Sequence, residues 1–366
     1  MNRRDFARLS ALTAVATQIP AFAQTAAPRK IGYAAVGLGV ISDLFMRSVA
    51  NSETVQITAL VSGHPEKAAR YAEKYNIPKE SIYSYESYDR LKENKAVDAV
   101  YIGLPNSMHR EYTERAASAG KHVLCEKPMA ISSAECRAMV DACEKASVKL
   151  LIAYRCHYDP TYLAARELLR SGALGEIKAF ESAFGFDSRP NLWRLTKKFG
   201  GGGPLMDVGI YSLNAIRYFT GEEPSKFAAI AATRDHTSGR FKEIEENLSW
   251  TMQFPSGIVA SCNCSYGASM PGFLNVHGTR GSLFFEEAFG GQGIHVRGSY
   301  SVPDSHANQA VDLINSGKDP FQLQLEGEHL PRCILNNTEP WTPGEEGLRD
   351  LEAIEKIYAA AGTPIA

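Results

Sequence analysis

Lys30-Ile31-Gly32-Tyr33-Ala34-Ala35-Val36-Gly37-Leu38-Gly39-Val40-Ile41-Ser42 decides the fold of the first half of the chain. Its first part ends in the apolar run Ala34-Ala35-Val36, the composition of a strand buried on both faces. Helix-like sequence follows to about Ala50. Between the two lies G-x-G-x-x-G with serine in the third glycine position. Gly37 permits a tight turn and Gly39 lets the backbone approach a ligand closely. The third position needs only a small residue where helix meets strand, and Ser42 is small. A strand that turns this way into a helix aims free N–H groups and a positive dipole end at an anion. The ligand that suits this geometry is the pyrophosphate of a dinucleotide.

The alternation continues outward. Strand Gln56 to Val61 precedes a helix to Tyr75, and a short strand near Ser81-Ile82-Tyr83 precedes a helix around Tyr88 to Glu93. Strand Ala99 to Ile102 leads through Gly103-Leu104-Pro105-Asn106 to helix Arg110 to Ala119. The run His122-Val123-Leu124 leads through Cys125-Glu126-Lys127-Pro128 to helix Ser132 to Ala146, and strand Leu150 to Ala153 ends in Tyr154-Arg155-Cys156-His157-Tyr158. This pattern predicts a Rossmann-type, doubly wound parallel sheet over residues 30–155. Ligands of such sheets lie beyond the carboxyl ends of the strands. Asn106, His109 and Lys127 fall there, and Lys127-Pro128 is a candidate cis peptide.

The second strand ends in Ser62-Gly63-His64. An Asp or Glu at this point would receive a free ribose 2′-hydroxyl, but none occurs before Glu66. A small hydroxyl, a glycine and the cations Lys67 and Arg70 stand there instead. They attract a 2′-phosphate, so NADP is favoured over NAD.

After helix Pro160 to Ser171 the period changes. Leu248, Trp250, Met252 and Phe254 alternate with polar residues, as do Ile258, Ala260, Cys262 and Cys264, around the turn Pro255-Ser256-Gly257. Further strands are expected at Ile177 to Phe184, Lys226 to Thr233, Phe273 to His277 and Ser282 to Phe285. Residues 156–366 therefore read as an α+β domain with a large, mostly antiparallel open sheet. Its uncovered face predicts an oligomer, a homodimer with sheets packed face to face. One helix interrupts the strands. Gly200 to Gly203 precede Pro204 at a first helical position, and Asp207 and Tyr211 then share a face at i and i+4. A carboxylate and a phenol held together beyond a glycine run are a candidate acid/base pair; an Asp at a helix N-terminus and a half-buried core tyrosine is the plainer reading.

The first 29 residues read as an address and a short arm. Arg3-Arg4-Asp5-Phe6 precedes an alanine-rich apolar run too short to span a bilayer, and Ala21-Phe22-Ala23 is an A-x-A cleavage site. This resembles a twin-arginine export signal cut near 23/24, which implies a folded, periplasmic protein with no membrane attachment after cleavage. A formal net charge of -2 gives no electrostatic reason to bind nucleic acid or an anionic membrane. Seven cysteines without C-x-x-C spacing read as mostly buried thiols, and nine scattered histidines give no metal site.

Several stretches together are similar to the glucose–fructose oxidoreductase / inositol dehydrogenase / MocA family. They are Ala35 to Gly39, Leu104 to His109, Ala119 to Pro128, Gly201 to Tyr211, Trp193-Arg194-Leu195 and Pro343 to Gly347. Glu126-Lys127-Pro128 marks the family. Tyr211, where many members carry histidine, points to the glucose–fructose and aldose–aldose oxidoreductase branch. The resemblance implies that Lys127 and Tyr211 are catalytic and that Asp207 holds substrate hydroxyls, with Arg155 also beside the substrate. It implies that Gly37, Gly39, Val40, Ser62, Gly63, Lys67, Asn106, His109, Glu126, Lys127, Arg155, Trp193 and Arg194 surround the NADP. The long proline-rich arm of glucose–fructose oxidoreductase is shortened here to Gln24 to Arg29, which favours a dimer over an arm-dependent tetramer.

The implied activity is oxidation of an aldose at C1 to an aldonolactone with reduction of a second sugar, an aldose or fructose, to an alditol. Tyr211 would transfer the proton, and a nearby Lys127 cation would make its phenol a better base. No free NADP pool is expected outside the cytoplasm, so an exported enzyme needs tightly bound cofactor and a closed, ping-pong cycle. The rival readings are an NAD-dependent glycosidase acting by transient oxidation and a non-catalytic dinucleotide-dependent sensor. Substrate choice is expected to rest on the loops Phe186 to Trp193 and Ser301 to Asn308.

Overall fold

The computed structural model describes residues 29–291, 293–304, 307–314 and 321–365. The expected signal segment lies outside the described residues, as do positions 305 and 306 of the second substrate loop.

Six parallel strands form the first sheet: β1 (Ile31–Val36), β2 (Val55–Val61), β3 (Ile82–Tyr83), β4 (Ala99–Ile102), β5 (His122–Glu126) and β6 (Leu150–Ala153). Their order is β3-β2-β1-β4-β5-β6. The expected doubly wound sheet is therefore present, with its topological switch between β1 and β4, where a crevice opens. β1, β4 and β6 are buried along their whole length. That is why they read as unbroken apolar runs: helices cover both faces. These are α1 (Val40–Ser48), α2 (Pro65–Tyr75), α3 (His109–Ser118) and α4 (Ser133–Lys145). Phe45 of α1 stacks on Tyr101 of β4 with ring centroids 3.9 Å apart, which fixes α1 against the sheet.

After α5 (Pro160–Arg170) the second sheet begins. It comprises β7 (Ile177–Gly185), β8 (Lys226–Ala232), β9 (Asn247–Gln253), β10 (Val259–Ser265), β11 (Met270–Gly278), β12 (Gly281–Glu286), β13 (His295–Ser301) and β14 (Asn308–Ile314). Their order is β14-β13-β12-β11-β7-β10-β9-β8. The predicted hairpin is β9–β10, closed by Phe254 N–H to Ile258 O at 2.9 Å. The sheet is mostly antiparallel, but β7 and β10 run parallel. α6 (Ile210–Thr220) packs on its inner face, where Leu248, Trp250, Cys262 and Cys264 are buried. All seven cysteines are buried free thiols.

Among the longer elements, β13, β14, α7 (Phe321–Asn336) and α8 (Gly344–Ala360) were not anticipated. α7 returns to the first sheet, beyond the division drawn at 155/156. Tyr33 Oη–H of β1 donates to Gly327 O at 3.0 Å, and a Cβ on Gly327 would come within 2.9 Å of Phe45. The outer edge of β6 is closed likewise, by Ile152 N–H to Thr342 O at 2.8 Å and Thr342 Oγ1–H to Ile152 O at 2.7 Å. Both sheets are thus tied by the chain's last fifty residues, roughly, rather than only by the link after β6.

Candidate active site

The β1–α1 turn has the form the glycines require. Gly37 has φ 78°, and a Cβ there would lie 2.6 Å from Leu104 Cδ2. At Gly39 the nearest atom to an added Cβ is Gly103 O at 3.9 Å, so approach to this backbone is open. Gly39 is the N-cap of α1 and offers no side-chain cap, which leaves the first-turn N–H groups for a ligand. Val40 beside it is 82% exposed, an unusual state for valine in a first turn. Ser42 is fully buried against Gly103, as the third motif position demands. Asp43, an anion in the same turn, is neutralised by Lys74 at 2.8 Å and Arg47 at 3.2 Å. The turn therefore fits a dinucleotide pyrophosphate.

Ser62 at the end of β2 is buried, and its Oγ accepts from His64 N–H at 3.1 Å. Gly63 is exposed and lies against Tyr85, whose ring an added Cβ would meet at 2.9 Å. Lys67 stands part-exposed in the first turn of α2 with no ion-pair partner among the described residues. These groups form the far rim of the β1–β2 edge, away from the chemistry described next.

At the carboxyl ends of β4, β5 and β6 a crevice of about 190 Å³ is lined by Asn106, Glu126, Lys127, Trp193, Asp207 and Tyr211, among others. A second space of about 290 Å³ adjoins it through Ile41, Arg155, Tyr211 and Leu323. The Lys127-Pro128 bond is cis, as the sequence led us to expect. Lys127 Nζ–H donates to the Asp207 carbonyl at 2.7 Å and to its Oδ1 at 3.1 Å. The same ammonium lies 4.5 Å from the Tyr211 ring centroid. Asp207 occupies a π-helical turn, Leu205–Gly209, in which Ile210 N–H reaches back to Leu205 O. Such widened turns are frequent at functional sites. Its second carboxylate oxygen is held by Arg194 and by Tyr266 Oη–H at 2.8 Å.

The charges follow from these contacts. Burial works hardest to raise the Asp207 pKa, but Lys127, Arg194 and the Tyr266 hydrogen bond overcome it and bring the carboxyl down to about 2. Burial likewise opposes the Lys127 ammonium, yet Tyr211, Asp207 and Glu126 hold its pKa above the usual lysine value. Glu126 is different. Burial raises its pKa against the Tyr101 hydroxyl, which donates to Oε1 at 2.6 Å, and against Lys127 and Arg155. The crevice thus holds a permanent carboxylate and a permanent ammonium beside the Tyr211 ring.

Two of the expected contacts have other work. His109 is buried, its ring between Leu104 O at 2.8 Å and Pro128 O at 2.9 Å, so it braces the turns after β4 and β5 rather than facing the crevice. Arg155 is fixed by Gly290 O at 2.9 Å, by Phe289 O and by Gln322, with its guanidinium carbon 5.1 Å from the Tyr211 ring centroid. It ties the loop after β12 and the start of α7 over Tyr211. Asn106 both lines the crevice and ties it, since Nδ2–H donates to Gly200 O of the glycine run at 2.9 Å. Trp193 lines the crevice at 36% exposure, with the Arg194 guanidinium 5.3 Å from its ring centroid. Sequence reasoning missed Tyr266, Gln322 and Leu323. Tyr266 directly follows β10 of the other sheet and carries no local signal. Among the described residues no three His, Cys, Asp or Glu side chains gather as a metal site.

The glycine run has its own support. Tyr358 Oη–H donates to Glu245 Oε1 at 2.7 Å and its oxygen accepts from Gly203 N–H at 2.9 Å. Burial pushes Glu245 up to about 7, against the Tyr358 hydrogen bond and the Lys197 charge. A carboxyl raised on folding binds its proton more tightly in the folded state. Its contribution to stability is therefore fully present below about 4.5 and lost as pH rises towards 7. Glu245→Gln keeps the acceptor for Tyr358 and removes the titration. It should flatten this slope and gain about 1–2 kcal/mol at pH 8, after allowance for partial exposure, with little change at pH 4. Urea midpoints at the two pH values test this.

Comparison with known proteins places this geometry in context. The profile described as the oxidoreductase family, NAD-binding Rossmann fold, of GFO/IDH/MocA proteins matches residues 31–154. That of the GFO/IDH/MocA C-terminal domain matches residues 162–284. A D-xylose 1-dehydrogenase [NADP(+)] of Haloarcula marismortui is 31% identical over 93% of this chain and 93% of its own length. A trans-1,2-dihydrobenzene-1,2-diol dehydrogenase of Bos taurus is 32% identical over 89% of this chain and 96% of its own. Among solved structures, aldose-aldose oxidoreductase from Caulobacter crescentus, complexed with glycerol, is 42% identical with a TM-score of 0.86, covering 91% of this chain and 98% of that one.

Proposed function

The chain belongs to the GFO/IDH/MocA oxidoreductase family, and on that premise we propose that it is an NADP-dependent aldose–aldose oxidoreductase with tightly bound cofactor. It oxidises an aldose at C1 to an aldonolactone and reduces a second sugar, aldose or fructose, to an alditol. The observation that carries this reading is the Lys127 ammonium held by Asp207 beside the Tyr211 ring, in a crevice at the strand ends.

A bound nicotinamide dinucleotide supplies the hydride acceptor and donor. Gly37, Gly39 and the first turn of α1 hold its pyrophosphate, and Ser62 and Lys67 meet the 2′-phosphate. Tyr211 accepts the proton of the C1 hydroxyl as the C–H bond breaks, and returns it to the acceptor's oxygen in the second half-cycle. Lys127 stabilises the oxyanion form of that phenol and the developing charge on the sugar oxygen. Asp207 stays ionised, orients Lys127 and accepts from sugar hydroxyls. Arg155 and Arg194 hold the walls.

The test is purified protein mixed with glucose alone. A reduced-nicotinamide absorbance band without added cofactor, and aldonolactone and alditol in equal amounts, are the expected results. Stoichiometric demand for added NADP with release of NADPH would make the protein an ordinary sugar dehydrogenase. Ser62→Asp should weaken NADP binding by about 10-fold or more through like-charge repulsion, read by equilibrium titration.

The outer face of the second sheet supports the homodimer reading. Ile230 (73% exposed), Phe284 (43%) and Phe273 (38%) project from it. Phe284→Glu should shift the sedimentation coefficient from dimer to monomer. We also propose export by the twin-arginine route, on Arg3-Arg4 and the Ala21-Phe22-Ala23 site. Replacing both arginines by lysine should retain the activity in the cytoplasmic fraction.

A further inference from the structure

A cavity of about 400 Å³ opens among α5, α6 and α8, and its lining shares no residue with the crevice. Its volume is that of a small-molecule site. The arginines at its floor and rim are not equivalent. Arg217 is saturated by Glu223, Glu346 and Asp350, and Arg349 pairs with Glu223 and Glu346. Arg166 has no ion-pair partner among the described residues. Its guanidinium carbon lies 4.2 Å from the Tyr218 ring centroid, Nη1–H reaches the Tyr218 hydroxyl at 3.4 Å, and its buried Nε–H has no acceptor among the described residues.

His157 supplies the opposite polarity. It is 5% exposed and lines the cavity. Asn214 Nδ2–H donates to Glu346 and Asp350, so Asn214 Oδ1 is free to accept from His157 Nε2–H at 2.7 Å. Burial lowers the His157 pKa to about 4, so the ring is neutral near pH 7 and Nδ1 is an acceptor, with no partner among the described residues. Trp341 completes the lining. It is 57% exposed, stacked from behind by Tyr158 at 5.5 Å.

An unpaired buried donor, an unpaired acceptor and a backed aromatic face are the requirements of a ligand whose groups both donate and accept and whose ring has an apolar side. The three guanidiniums are matched in number by Glu223, Glu346 and Asp350, although only Arg217 and Arg349 pair with them, so the cavity does not call for a charged ligand. We propose that this cavity is an accessory binding site for a neutral monosaccharide ring, separate from the crevice. It does not depend on the reaction proposed above.

The experiment is equilibrium dialysis of the full chain with radiolabelled D-glucose at pH 7.5, with inorganic phosphate as competitor. To prevent turnover, all proteins carry Tyr211→Phe. The expected result is a saturable glucose site whose dissociation constant rises at least 10-fold with Trp341→Ala and with Arg166→Met, and which is unmoved by Lys127→Ala. Circular dichroism confirms that each variant is folded, and Arg166→Met serves if Trp341→Ala is not. Glucose binding that survives both substitutions, or that is lost only with Lys127→Ala, overturns the proposal. So does displacement by millimolar phosphate, which would mark an anion site. Failure of the crevice to bind glucose would remove the Lys127-sensitive component alone and bear only on the proposed reaction.

Discussion

Tyr211→Phe should lower turnover by about 100-fold or more while fold and dinucleotide binding persist, the range expected when a positioned acid–base group is deleted. The ring is packed by Phe184 at 5.8 Å and Phe289 at 5.7 Å and flanked by Lys127 and Arg155, and phenylalanine keeps all of these contacts. Only the hydroxyl is lost. The loss should fall on kcat, since the proton moves in the transition state and not on binding. Single-turnover formation of the reduced-nicotinamide band separates chemistry from release. Near-normal turnover would move the proton-transfer role to another group of the crevice, with Lys127 first to be tested. The Asp207–Lys127 pair also predicts a simple pH profile at the acid side: Asp207, down to about 2, stays charged, so Lys127 keeps its partner throughout the neutral and mildly acidic range.

The second large effect is on stability. Arg217→Met should cost about 3–5 kcal/mol at pH 8, the range for removing one partner of a buried ion cluster. Arg217 is 3% exposed in its side chain and faces Asp350, which is fully buried, and Glu346 at 2.8 Å. Methionine fills the stem but leaves the fully buried Asp350 carboxylate without its cation, while Glu346 keeps Arg349. The cost should shrink at pH 5. Burial already raises Asp350 to about 6, with Arg217 opposing that rise. Without the guanidinium it moves higher still, so protonation at pH 5 removes the unpaired charge. Urea unfolding at the two pH values measures the difference. An equal loss at both would mean that packing, not charge, is what Arg217 contributes. Because α6 carries both Tyr211 and Arg217, activity at moderate temperature also reports whether the cluster holds Tyr211 in place.

The parallel sheet was legible in the sequence because burial on both faces leaves an unbroken apolar run, and the glycine pattern stands where strand passes to helix. Lys127 and Asn106 were legible because they end such runs. Asp207 and Tyr211 were legible as a pair because four residues bring side chains to one face, even though the turn proves to be π-helical. β13 and β14 were not. Near the sheet's edge they bury few residues, and Val296 and Val311 alone are buried in β13 and β14 respectively. α7 carries Pro331, and its apolar positions answer to β1 and α1 and not to its neighbours in sequence.

The sequence by itself determined that a strand–glycine–helix unit would bind a dinucleotide and that a lysine would stand at the mouth of its sheet. Only the tertiary structure decided which polar groups there are available for chemistry. His109, Arg155 and Asn106 all sit at strand ends, yet Leu104 O and Pro128 O flank the first, the remote carbonyls of Phe289 and Gly290 hold the second, and Gly200 O ties the third to the glycine run. A hydrogen bond spent on a distant carbonyl leaves no trace in local composition, because it depends on where two remote segments meet.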